Sequence, residues 1–205
     1  MASGAQGRQP VGHIPQHPHA QRLQVRLAVL ALHRVARQVA RKQADALDGR
    51  VALGRDVRLS SAGLLNALAH GLVERGVEVV DIGLGGTEEV YFASFQPGID
   101  GGIMVTASHN PMDYNGMKLV KGGAIPISGD TGLRALEEAT AASTATAPTG
   151  EAKRSHHDYR PDYVRHLLGY VDPKVLKPLK IVVDAGNGSA GLVIDALEPH
   201  LPFEF

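Results

Sequence analysis

The chain has 205 residues, 43% of them hydrophobic, which suffices for one sizeable domain or for a domain and part of another. Lys and Arg number 21 and Asp and Glu 21, so the formal charge is zero and the balance gives no support for a nucleic-acid or membrane-surface partner. With no Cys there is no disulfide framework, thiolate nucleophile or cysteine zinc site; with no long apolar run and no signal-peptide order at the start, a cytoplasmic protein is expected.

The charge balance is uneven along the chain. Residues 1–44 hold seven Arg or Lys and four His but no Asp, Glu or aromatic residue. Residues 1–20, with Pro10, Pro15 and Pro18, read as disordered, and 21–47 as a basic helix without one clean apolar stripe. Residues 1–47 are therefore set apart as an atypical N-terminal segment.

From Val51 the pattern becomes regular. Val51-Ala-Leu reads as a buried strand. Ser60 or Ser61 is placed to cap a helix carrying Leu64, Leu65, Leu68, Leu72 and Val73, which Gly76 ends. Residues 77–82 form the next strand, and Thr87 caps a short helix through Phe95. Strands at 102–106 and 117–120 follow, then a turn at Gly122-Gly123 and a helix from Ser128 with Leu133 and Leu136. Residues 139–150 are small and polar, which suits a linker. A helix is expected around 159–170, a strand over 179–184, a turn at Gly186-Asn-Gly188, a helix over 189–198 and a further strand from Leu201. Strands alternating with helices predict a layered α/β/α domain with a mixed sheet over 48–150. A linker and helix occupy 151–178, and the beginning of a second similar domain is expected over 179–205.

The stretch richest in chemistry is Thr106-Ala-Ser108-His109-Asn110-Pro111, followed by Asp113-Tyr-Asn115-Gly116-Met-Lys118. It falls in a loop directly after a predicted strand. Asn-Pro and Asn-Gly impose tight turns that expose side chains and backbone N–H groups. Ser108 can serve as a covalent carrier there, with His109 and Lys118 supplying positive charge or proton transfer. Such a set suits a phosphoryl group better than an acyl one, and no G-x-S-x-G elbow favours a hydrolase. The same composition also describes a plain polar turn with a solvated Ser, His and Lys.

The run Thr106–Pro111 resembles the phosphoserine loop of the α-D-phosphohexomutases. Gly86-Thr-Glu-Glu, Met112-Asp-Tyr-Asn-Gly-Met-Lys118 and Ile127-Ser-Gly-Asp-Thr-Gly-Leu133 are similar to the bacterial phosphomannomutase branch, over residues 48–205. The resemblance implies that Ser108 carries the transferred phosphate, that an oxygen of that phosphate is one ligand of an activating Mg2+, and that His109 and Lys118 assist. Arg55, Asp56 and Arg58 match a Gly-Arg-Asp-x-Arg-x-Ser turn that supports the active-site face, where a salt-bridged turn is favoured over contact with substrate. Asn110 and Asn115 count as further support. The implied reaction interconverts mannose 6-phosphate and mannose 1-phosphate through a bisphosphate, with a hexose phosphate as partner and neither nucleic acid nor membrane.

Phosphoglucomutase or phosphoglucosamine mutase, and a non-catalytic binding module, are the competing readings. The turn Gly186-Asn-Gly188-Ser-Ala-Gly191 is read as the structural start of the second unit rather than as a nucleotide site. The family's Tyr-Asp-Ile-Arg-Gly segment has no match in 1–47, and its Asp-Gly-Asp magnesium loop and later domains are not found. The chain alone is therefore expected not to turn over sugar phosphates.

Overall fold

Strand β1 (Arg50–Arg55) sends alternate side chains into two separate apolar clusters: Val51 and Leu53 into one, Ala52 into the other. A strand buried on both faces lies at the centre of a sheet covered on both sides. The computed structural model, which describes residues 49–141 and 153–205, bears this out. The other strands are β2 (Glu78–Leu84), β3 (Gly101–Val105), β4 (Met117–Lys121), β5 (Ile125–Pro126) and β6 (Arg154–His156), in the order β5-β4-β3-β1-β2-β6. β1 runs parallel to β2 and β3, and β2 to β6, while β4 is antiparallel to both β3 and β5. The sheet is mixed, as expected.

Helix α1 (Ser61–Val73) lays Leu64, Leu65, Leu68 and Leu72 on the Val51–Leu53 side. Helix α2 (Thr87–Ser94) covers the opposite side with Val90 and Ala93, against Val80, Ile82 and Met104. Glycine lets α2 come this near. A Cβ on Gly54 would stand 2.5 Å from Val90 Cγ2, and one on Gly102 2.6 Å from Ser94 Oγ. Helix α3 (Leu133–Ala141) adds Leu133 and Leu136 to the α1 side. α4 (Arg160–Leu168) and α5 (Ala190–Leu197) complete the α-helices among the described residues.

α1 follows β1 and α2 follows β2, and they leave to opposite faces. The carboxyl ends of β1, β2 and β3 consequently open on one crevice, the usual place for a ligand in an α/β sheet.

Several local expectations are corrected. Neither Ser60 nor Ser61 caps α1 through its side chain; both hydroxyls are bonded to the loop after β3 instead. The cap of α2 is Gly86 and not Thr87, because Gly86 N–H donates to the Glu89 side chain. The strand expected over 179–184 is reduced to one bridge, Lys180 to Glu204. Around it Leu179, Val182 and Val183 stay exposed. A three-residue edge strand, β6, stands where a linker was expected. The linker expected at 139–150 begins inside α3, and the rest of it lies outside the described residues, as does the basic helix at 21–47. Among the described residues no helix is long and apolar enough to cross a membrane.

Candidate active site

The loop between β3 and β4 is closed at its base by Thr106 N–H donating to Gly116 O at 3.0 Å. Within it Ser108 has φ 54°, the left-handed region that a non-glycine residue rarely enters. Its N–H donates to Thr106 Oγ1 at 2.9 Å, which holds the turn and leaves the hydroxyl exposed. Ser108 Oγ lies 3.3 Å from Nδ1 of His109, itself exposed. An unprotonated Nδ1 there accepts the serine proton; a protonated one donates to an oxygen at the same place.

Arg58 binds the loop through its guanidinium. Nη1 donates to the carbonyls of Pro111 (2.6 Å) and Tyr114 (3.0 Å), and Nη2 to those of Ser108 (2.9 Å) and Asn110 (2.6 Å). Nε pairs with Asp56 Oδ2 at 3.2 Å. A guanidinium has five N–H donors, and all five are used, so none is left for a substrate phosphate. Asp56 Oδ1 accepts from Arg58 N–H and from the Ser61 hydroxyl. Asn115 Nδ2 donates to Ser60 Oγ and Ser61 Oγ, and Asn110 Nδ2 to Ala107 O at 2.8 Å. The start of α1 and the loop after β3 are thereby fastened together.

Arg55 ends β1, and its guanidinium donates to Asp56 O at 3.3 Å. Lys118, opposite Met104 in the β3–β4 register, brings its amine to 3.5 Å from Thr87 Oγ1. The structure thus gathers His109, Asn110, Asn115, Asp56 and Arg58 on the Ser108 loop. It sets Lys118 at the start of α2 and leaves Arg55 at the strand end.

A cleft of about 550 Å³ opens beside Ser108, with Asp56, Gly86, Thr87, Thr106, Asn187 and Ser189 among its walls. Gly186 and Asn187 are both left-handed, and Ser189 Oγ donates to Gly85 O at 2.7 Å. Among the described residues no three His, Asp or Glu side chains come together to hold a metal ion, so they do not build a magnesium cage. Thr106, Ser60 and Ser61 were not anticipated as loop supports. A Thr two residues before the exposed Ser was the one local signal for the first.

The model of the family phosphoglucomutase/phosphomannomutase, alpha/beta/alpha domain I, matches residues 18–147. The chain belongs to this family. The match begins inside the N-terminal segment, further back than the motifs alone reach. A phosphohexose mutase of Xanthomonas campestris pv. campestris (strain B100) is 56% identical over 172 residues, covering 83% of this chain and 38% of the relative. A phosphomannomutase of Escherichia coli K12 is 57% identical over 151 residues, 72% of this chain and 33% of its own. The chain thus spans about a third to two fifths of the curated relatives it matches. Among solved structures, a phosphoglucomutase/phosphomannomutase family protein from Burkholderia thailandensis superposes with TM-score 0.73 at 36% identity. The overlap covers 86% of this chain and 39% of that one. A layered α/β domain I with this sheet is therefore the family's own architecture.

Proposed function

We propose that the protein is a phosphohexomutase of the phosphomannomutase type, interconverting mannose 6-phosphate and mannose 1-phosphate with Ser108 as the phosphate carrier. The observation that carries this reading is the exposed Ser108 hydroxyl, held in a left-handed turn beside His109 Nδ1 at the mouth of the cleft. The names of the relatives support mannose as the sugar.

In the proposed cycle Ser108 starts phosphorylated. Its P–O bond breaks as a bond forms to the free 1-hydroxyl of mannose 6-phosphate; the hydroxyl proton leaves to a base and Ser108 Oγ takes up a proton as it departs. The 1,6-bisphosphate then turns over. Its 6-phosphoryl group passes to Ser108 Oγ, whose proton His109 Nδ1 is placed to accept, and the sugar oxygen takes up a proton on leaving. Lys118 adds positive charge beside Thr87 of the cleft wall. A neutral serine is a weak nucleophile without such a base. Mg2+ is proposed as the activating ion, neutralising charge on the transferring group, with a phosphate oxygen on Ser108 as the ligand that this loop supplies. Sugar phosphates do not cross membranes unaided, so the proposed location is the cytoplasm where they are made.

The test is turnover of mannose 1-phosphate by the full protein, primed with a trace of hexose 1,6-bisphosphate. Turnover lost in Ser108→Ala supports the reading. Turnover undiminished in Ser108→Ala rules it out.

A further inference from the structure

Glu89 lies in the first turn of α2 and is 4% exposed, the one charged residue buried among the described residues. A buried carboxylate needs partners for both oxygens, and Glu89 has them. Oε1 pairs with Arg160 Nε at 3.0 Å, an ion pair with side chains 6% and 21% exposed. Oε2 accepts from Gly86 N–H at 2.7 Å. Arg160 Nη2 continues to Leu84 O at 2.6 Å, and Ser189 Oγ reaches Gly85 O at 2.7 Å. The last residue of β2 and the two residues of the turn to α2 are thus each fixed, Leu84 by α4, Gly85 by the turn before α5 and Gly86 by α2. The carboxylate sits so close that a Cβ on Gly85 would meet Glu89 Oε2 at 2.6 Å.

The residue after this turn is Thr87, which lines the cleft and whose hydroxyl lies 3.5 Å from the Lys118 amine. A capping glutamate on its own needs no buried arginine, and glutamine does the same work. The Arg160 pair is the surplus that asks for a function.

We infer that Glu89 is a positioning residue for phosphoryl transfer: braced by Arg160, it fixes the turn before α2 and, through Thr87, sets the place of the Lys118 ammonium. This deepens the mutase reading and rests on it. Glu89 touches neither serine nor substrate. It acts by deciding where a cation stands when charge develops on the transferring oxygens.

Two measurements on the full chain test it, each made well below the unfolding midpoint of the variant concerned. One is the rate at which Ser108 takes phosphate from a hexose 1,6-bisphosphate, followed by peptide mass spectrometry. The other is the rate at which acetic anhydride acylates Lys118. Glu89→Gln is expected to slow loading about tenfold with little change in the half-saturating concentration, and to speed acylation of Lys118. Thr87→Val is expected to do both, and the double variant to be no worse than either single one, because both act along one path. Arg160→Met is expected to match Glu89→Gln, with Arg160→Lys in between. If Lys118 acylation in Glu89→Gln equals wild type, or if loading is unchanged while Lys118 moves, the inference is overturned. If wild type takes no phosphate at all, the mutase reading falls and the role in transfer with it. Lys118 acylation then still decides whether Glu89 places the amine.

Discussion

The carbonyl oxygen of Ser108 accepts a 2.9 Å hydrogen bond from Nη2 of Arg58, a residue fifty positions earlier in the chain. The same guanidinium bonds three further carbonyls of the loop and the Asp56 carboxylate, and it is only 12% exposed. The position of the serine is thus set by a side chain whose N–H groups are all committed to the loop carbonyls and to Asp56.

Arg58→Ala should leave four carbonyls and the Asp56 carboxylate short of donors. Denaturant unfolding is expected to show a loss of about 2–4 kcal/mol. Arg58→Lys should recover little of it, since an ammonium cannot reproduce the planar fork that reaches both sides of the loop. A loss below about 0.5 kcal/mol would mean that the loop holds itself.

The φ of 54° at Ser108 predicts a difference between two variants that both lack the hydroxyl. Glycine enters the left-handed region without penalty and alanine does not, so Ser108→Gly should be more stable than Ser108→Ala by about 1 kcal/mol. Paired unfolding curves check this. Equal stabilities would show that the turn relaxes when the hydroxyl is removed.

The close seat of α2 on the sheet is tested at Gly54. A Cβ there meets Val90 Cγ2 at 2.5 Å, so Gly54→Ala should cost about 1–3 kcal/mol by overpacking. Adding Val90→Ala makes room for the new methyl, and the double variant should lose less than the sum of the two single losses.

Tyr163, on α4, has a phenol raised above its usual 10.0, first by burial and then by the Glu88 and Glu89 carboxylates and Tyr170. The folded-state pKa exceeds the unfolded one. The stability this contributes is therefore whole below about pH 10 and is lost as pH rises through the folded value. Tyr163→Phe should flatten that alkaline decline, seen as a smaller change in unfolding midpoint between about pH 9 and pH 11. An unchanged decline would assign it to other groups.

How far the sequence could be read depended on how local each cause was. β1, β2 and β3 carry runs of Val, Ile, Leu and Met that a doubly covered sheet requires, and they were legible to within two residues at either end. β6 is Arg-Ser-His at a sheet edge; with no apolar residue it left no pattern to find. The run over 179–184 has the composition of a buried strand, yet its backbone meets only Glu204, so composition alone did not bring it a ladder. The left-handed, exposed Ser108 beside His109 follows from short-range turn chemistry and could be anticipated. The Arg58 clamp, the Asn115 bonds to Ser60 and Ser61, and the Glu89–Arg160 pair join residues 50 to 71 positions apart, where spacing carries no signal.

The most direct measurement is mass spectrometry of the peptide containing Ser108 after the protein has met a hexose 1,6-bisphosphate with Mg2+. One phosphate is expected, on Ser108 and on no other residue, and released again when mannose 6-phosphate is added. A bare Ser108, or a phosphate found only elsewhere, would contradict its role as the carrier.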